Sequence, residues 1–269
     1  MDDFKNLYIQ KNEFISTIYL NRPDKANALN MELWQEISMA FDFLENNAET
    51  RVIVLLGKGK NFCGGIDLMA FPELLGSVHH DDPARKSLNL EKKIKELQTW
   101  LGKPATITKP VIAGIQGACV GAGLDLVCGC DLRVVTKEAY FQIKEIDYAM
   151  VADVGTLQRL PDLLGDAKVR ELAFTGDKWG AEEALGAGFV NMIVPDLEDG
   201  VNQLAQKMAQ KSPLALQEIK KMIGFSRHHS QQESLDYIAQ RNAFLLLSTD
   251  LQEAMMAGLE KRAPKFQNT

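Results

Sequence analysis

Two short runs rich in β-branched and aromatic residues, LYIQ and FISTIYL, lie within residues 7–20 and flank the polar Lys11, Asn12 and Glu13. That pattern predicts an antiparallel hairpin. Arg22, Pro23 and Asp24 read as a turn, and Asn30 as the cap of a helix with the apolar stripe Leu33, Ile37, Phe41 and Leu44. Continuous apolar runs at 52–56 and 110–115, next to glycine-bearing loops, predict buried strands, and 132–135, 140–143 and 189–194 predict three more. Residues 86–102 are amphipathic, with Leu88, Leu90, Ile94, Leu97 and Leu101 as the expected buried face. Strands alternating with helices predict an α/β core with largely parallel strands. From 198 to about 260 only helical periodicity remains, including 213–223, 233–247 and 250–261. The expected division is therefore an α/β core over 1–197 and a helical region over 198–269.

Composition narrows the function classes. The chain has 269 residues, 46% hydrophobic and 25% charged, as in ordinary globular proteins, and a net charge of -6. That charge disfavours a general nucleic-acid or membrane surface. No apolar run reaches membrane-spanning length. The first residues, MDDFKNLYIQ, are acidic and lack an apolar signal region, and the last, KFQNT, are not a peroxisomal tripeptide. Cys63, Cys119, Cys128 and Cys130 form no CxxC pair and read as core thiols rather than metal ligands. The expectation is a cytoplasmic protein in a reducing compartment, with no metal.

Chemistry concentrates in two glycine-rich loops and three acids. GKGKNFCGGIDL (57–68) and GIQGACVGAGLDL (114–126) each follow a predicted buried strand. Glycines let the backbone approach a ligand and turn consecutive N–H groups toward it, and a helix starting near Gly123 adds its own N-terminal donors. Two such loops in one crevice make an oxyanion hole, worth about 3–4 kcal/mol per donor in the transition state. Neither loop is a dinucleotide fingerprint or a phosphate loop. Asp125, Glu145 and Asp153 stand where strands are predicted to end, and Asp153 sits among Ala149, Met150, Val151, Ala152 and Val154. Burial raises a carboxyl pKa and a neighbouring carboxylate raises it further, the arrangement acid–base catalysis near neutrality needs. As an alternative, Asp153 caps a helix beginning near Gly155. Asp67 and Asp131 read as turn or capping acids. His79-His80 and His228-His229 lie in polar stretches without partners.

NRPDKANALN (21–30), NFCGGIDL (61–68), KPVIAGIQGACVGAGLDLVCGCDLR (109–133) and FTGDKWGAEEALGAGFVNMIVP (174–195) together resemble the enoyl-CoA hydratase/isomerase, or crotonase, superfamily over nearly the whole chain. FQIKEIDYAMVADVGTLQRLP (141–161) and SRHHSQQESLDYIA (226–239) most resemble its Δ3,5-Δ2,4-dienoyl-CoA isomerases. Hydratases of the family carry Glu at the position of Asp125 and of Glu145, and no acid at that of Asp153. The resemblance implies a spiral of ββα units with a C-terminal helical trimerisation region, assembled as a homotrimer or a dimer of trimers. It implies proton transfer by Glu145 and Asp153, with Asp125 as a third active-site acid. It also implies an oxyanion hole formed by the amides of Ile66 and Ala122, although the family usually has Gly at the latter. By the same resemblance Lys25, Ala26, Gly65, Asp67, Leu68 and Gly123 would contact an acyl-CoA thioester, with no cofactor needed beyond the coenzyme A of the substrate. Two alternatives stand beside it: an enoyl-CoA hydratase, and a non-catalytic RNA-binding or scaffold homologue.

Overall fold

The computed structural model describes residues 4–76 and 78–268, so the extreme terminal residues weighed above for targeting signals lie outside it. Strands β1 (Leu7–Asn12) and β2 (Ile15–Leu20) form the expected antiparallel hairpin. Helix α1 (Met31–Glu45) starts at Asn30, whose side chain accepts the Leu33 N–H, and its four predicted stripe residues are buried. Strand β3 (Val52–Gly57) then pairs parallel to β2. Helices α2 (Phe71–Gly76), α3 (Pro83–Leu101) and α4 (Lys103–Thr106) lead to β4 (Val111–Ile115) and the short β5 (Ala118–Val120). Helix α5 (Ala122–Cys128), β6 (Leu132–Val135) and β7 (Tyr140–Gln142) follow. Next come α6 (Thr156–Leu164), α7 (Asp166–Thr175), β8 (Trp179–Gly180), α8 (Ala181–Gly186) and β9 (Met192–Ile193). Four helices close the chain: α9 (Leu197–Ala209), α10 (Pro213–Ser226), α11 (Gln231–Leu245) and α12 (Thr249–Leu259).

These elements build the α/β architecture with largely parallel strands that the sequence predicts. A six-stranded sheet of order β1-β2-β3-β4-β6-β9 is parallel except for the hairpin, and a second, three-stranded sheet, β5-β7-β8, stands beside it. The main core packs α1 and α5 against one side, with Phe41, Phe62, Phe141, Trp179 and Phe189 fully buried. On the other side Val201, Ala205 and Ala209 of α9 pack on Val52, Val54 and Ile112. The first helix after residue 197 is thus a layer of the core, and α10–α12 extend outward from it. Lys220 on α10 ties them down: its Nζ donates to the Pro104 and Lys109 carbonyls and pairs with Asp131 at 2.8 Å. Asp131 also accepts the Val111 N–H, the structural role read for it.

The structure departs from expectation at three places. The strand expected over 189–194 shrinks to β9, because Phe189 and Val190 donate back to the Ala184 carbonyl after Gly188 turns at φ +82°. Leu88 is exposed, because α3 reaches the core only in its last two turns, through Leu97 and Leu101. The second glycine loop contains β5, which predicts nothing by its own composition and forms because β7 supplies its partner. Among the described residues no helix is long and apolar enough to cross a membrane.

Candidate active site

The two glycine loops do meet. Leu29 donates to the Gly65 carbonyl and accepts from the Asp67 N–H, so the backbone of Ile66, the residue between, turns away from this bridge. On the other loop Gly121 has φ +52°, outside the range of ordinary side chains, and delivers the chain into α5 at Ala122. A methyl group on Gly121 would stand 3.1 Å from Glu145 Oε1 and 3.8 Å from Gly65 Cα, so both loops and the acid share one point. Ala122 is the first residue of α5, where an N–H has no partner within the helix. Its φ is not positive, so alanine at this position meets no backbone penalty.

Around that point opens a cavity of about 790 Å³. Gly65, Ile66, Gly121, Ala122, Asp125, Glu145 and Asp153 all line it, as do Ala26 and Leu68. One arm is apolar, walled by Trp34 and Phe71 and by Leu90, Ile94 and Leu97 of α3. The mouth carries Tyr140, Lys144, Tyr148 and Lys178, with the Lys178 ammonium 4.5 Å from the Tyr140 ring centroid. Three residues assigned by resemblance stand outside the lining. Lys25 is exposed on a short 3-10 turn. Asp67 pairs with Arg22 at 3.0 Å and accepts the Met69 N–H, which fixes the loop rather than a ligand. Gly123 packs against Cys63, where a Cβ would come within 2.7 Å. Sequence reasoning missed the rim lysines and Trp34, whose positions carry no local signal. Of the expected buried face of α3, Leu97 and Leu101 do pack in the core, while Leu90, Ile94 and one side of Leu97 line the cavity.

The three acids differ in setting. Asp125 is buried, only 1% exposed, and its Oδ1 accepts the Thr156 N–H at 2.6 Å while Oδ2 has no partner. Burial first, and then the Glu145 charge, push its pKa from 3.8 to about 7. Glu145 begins the 3-10 turn Glu145–Tyr148, and burial and the nearby Asp153 hold its carboxyl above the ordinary range. Its Oε2 is buried without a partner. Asp153 is not embedded as its apolar neighbours suggested. Ala152 and Val154 are buried in the core, and the alternation of an extended segment turns Asp153 to the open side, at the cavity. Partial burial of its carboxyl still raises its pKa. Nor does Asp153 cap α6: the N-cap is Gly155 without a side-chain bond, and Asp125 takes the first N–H instead.

Asp125 yields a stability prediction. A carboxyl with a raised folded pKa holds its proton more tightly in the native state. Its contribution is therefore full below about 3.8 and is lost as pH rises through about 7. Asp125→Asn removes that loss, so its melting temperature relative to wild type rises from about pH 5 to about pH 8. Thermal melts at the two pH values check this, and a constant difference would contradict it.

A cavity holding backbone donors at the meeting of two loops, with carboxyls around it and an apolar arm behind, defines an acid–base enzyme for a substrate with an oxyanion-forming carbonyl and a hydrocarbon tail. The chain belongs to the enoyl-CoA hydratase/isomerase family, whose sequence profile matches residues 10–269. It is 40% identical over 273 residues to the peroxisomal Delta(3,5)-Delta(2,4)-dienoyl-CoA isomerase of Arabidopsis thaliana, covering 99% of this chain and 98% of that protein. It is 42% identical over 252 residues to the mitochondrial Delta(3,5)-Delta(2,4)-dienoyl-CoA isomerase of Homo sapiens, covering 92% of this chain and 77% of that one. Among solved structures, an enoyl-CoA hydratase from Bacillus anthracis superposes with a TM-score of 0.89 at 28% identity, over 98% of this chain and 99% of that one.

Proposed function

We propose that this protein is an isomerase that converts 3,5-dienoyl-CoA to 2,4-dienoyl-CoA. The observation that carries the reading is the pair Glu145 and Asp153 lining one cavity beside the Ile66 and Ala122 backbone. Moving the diene removes a proton at C2 and adds one at C6. Between the two steps the thioester oxygen carries the charge of a dienolate, and the Ile66 and Ala122 N–H groups stabilise it. Proton sites four carbons apart call for two acids in different places, and Glu145 and Asp153 sit on a 3-10 turn and on the extended segment after it. Burial raises both pKa values, toward the operating pH where a carboxyl gives and takes protons with least loss. The apolar arm receives the acyl chain, and the coenzyme A moiety leaves past the Ala26 and Gly65–Leu68 loops. Nothing in this chemistry calls for a metal or redox group.

Hydration is the disfavoured reading. It requires two carboxylates holding a water, and Asp125 has one oxygen bound to the Thr156 N–H. Exposed Phe244, Leu247, Met255 and Leu259 on and between α11 and α12 favour assembly as a trimer or a dimer of trimers through the C-terminal helices. Four free, buried cysteines suit a reducing compartment such as the cytoplasm. Assay of 3,5-dienoyl-CoA beside crotonyl-CoA tests the reaction. The expected result is fast isomerisation and slow hydration; crotonyl-CoA hydration without dienoyl activity would overturn it.

A further inference from the structure

Asp153 lies in a segment with no regular structure, 150–155, between the 3-10 turn of Glu145 and α6. Such a segment does not hold a proton-transfer group in place by its own backbone bonds. Two side chains from elsewhere grip it instead. Upstream of the bend, Gln98 of α3 donates from Nε2 to the Asp153 carbonyl at 2.6 Å. Downstream, Asp125 of α5 accepts the Thr156 N–H, also at 2.6 Å. The partners are 55 and 31 residues away in sequence, so neither bond is a local turn. Gly155, between the two grips, has φ +140° and gives α6 no side-chain cap, so the Asp125 bond takes the place of one.

We infer that Gln98 and Asp125 form a two-point clamp that positions Asp153, an inference that rests on the proposed role of Asp153 in proton transfer. Neither clamp residue moves a proton in this scheme. Gln98 is a positioning residue carried by the same helix whose Leu90, Ile94 and Leu97 wall the apolar arm, and Gln98 follows Leu97 directly. An acyl chain packed on those residues seats α3, and through Gln98 it seats Asp153. Binding energy from the unreactive tail is thereby used to orient the reacting group.

The test uses the full chain with four variants. Gln98→Met keeps length and helix propensity but has no N–H to give; Gln98→Ala removes the arm altogether. Asp125→Asn keeps an oxygen acceptor for Thr156, and Asp125→Ala does not. Gln98→Met and Gln98→Ala are expected to lower kcat on 3,5-dienoyl-CoA about tenfold with KM within about twofold, since one hydrogen bond and a small misplacement are lost. Asp125→Ala is expected to lose about a hundredfold and Asp125→Asn about tenfold or less, a rescue by the conservative variant. In the free enzyme, amide hydrogen exchange across 150–157 is expected to quicken about tenfold in Gln98→Met and Asp125→Ala and to stay near wild type in Asp125→Asn. Wild-type kcat and exchange in Gln98→Met would overturn the clamp, as would equal losses in the two Asp125 variants. If Asp125→Ala does not fold, the Gln98 variants and Asp125→Asn still decide: a loss in Asp125→Asn matching that of Glu145→Gln would make Asp125 a proton-transfer acid and end the proposal. Exchange needs no substrate, so absence of dienoyl activity in the wild type would sink the proposed reaction while the exchange data still judged the clamp.

Discussion

Asp153→Asn is expected to lower kcat on 3,5-dienoyl-CoA by about 10³–10⁴-fold while leaving stability within about 0.5 kcal/mol of wild type. The two halves of this prediction come from one fact: Asp153 is open to the cavity, and the buried contacts of its segment belong to Ala152 and Val154. A carboxamide keeps the shape and cannot accept the proton. The Asp153 carbonyl still receives the Gln98 bond, because it is backbone. Had Asp153 capped α6, the same substitution would have cost little activity, since Asn caps as well as Asp. Steady-state kinetics and a thermal melt on one preparation separate these outcomes, and activity near that of wild type would remove Asp153 from the chemistry.

Glu145→Gln is expected to lose activity on a similar scale, about 10²–10⁴-fold, and to gain stability above neutral pH. Glu145 has a raised pKa because burial disfavours its charge, and its Oε2 has no partner. A group raised in this way contributes stability below its unfolded pKa and loses it as pH rises through its folded one, so a neutral isostere removes a cost borne at high pH. Activity lost with stability gained distinguishes a working acid from a structural one, whose removal lowers both. The two variants also divide the labour between the acids. Dienolate formation at C2 is reversible, so the variant that lacks only the C6 acid still washes solvent deuterium into C2 of unreacted substrate. The variant lacking the C2 acid exchanges nothing. A run of both in deuterium oxide, read by mass spectrometry, assigns each acid to its carbon; exchange at C2 in both would deny the division.

Much of this architecture was legible in the chain. The hairpin, the Asn30 cap and the buried strands at 52–56 and 110–115 are local signals, and each forms where its residues predict. The meeting of the two glycine loops follows from their places after neighbouring parallel strands, β3 and β4. What was not legible depends on partners distant in sequence. Three residues of β5 make a strand only because β7 lies alongside. The sequence offered Asp153 as a cap for α6, yet the first N–H of that helix is taken by Asp125, 31 residues before Thr156. The apolar flank of Asp153 pointed to a buried acid, whereas period-two alternation buries the flank and exposes the acid. Gln98 carried no signal, being an exposed residue on an amphipathic helix.

The central claim is that two separate carboxyls handle the two protons, and turnover of 3,5-dienoyl-CoA in deuterium oxide tests it most directly. With Glu145 and Asp153 acting at different carbons, the proton leaving C2 and the one reaching C6 ride on different acids, and the 2,4-dienoyl product carries one solvent deuterium at C6. Retention of the original C2 proton at C6 would mean that a single carboxyl ferries it, and would contradict the account.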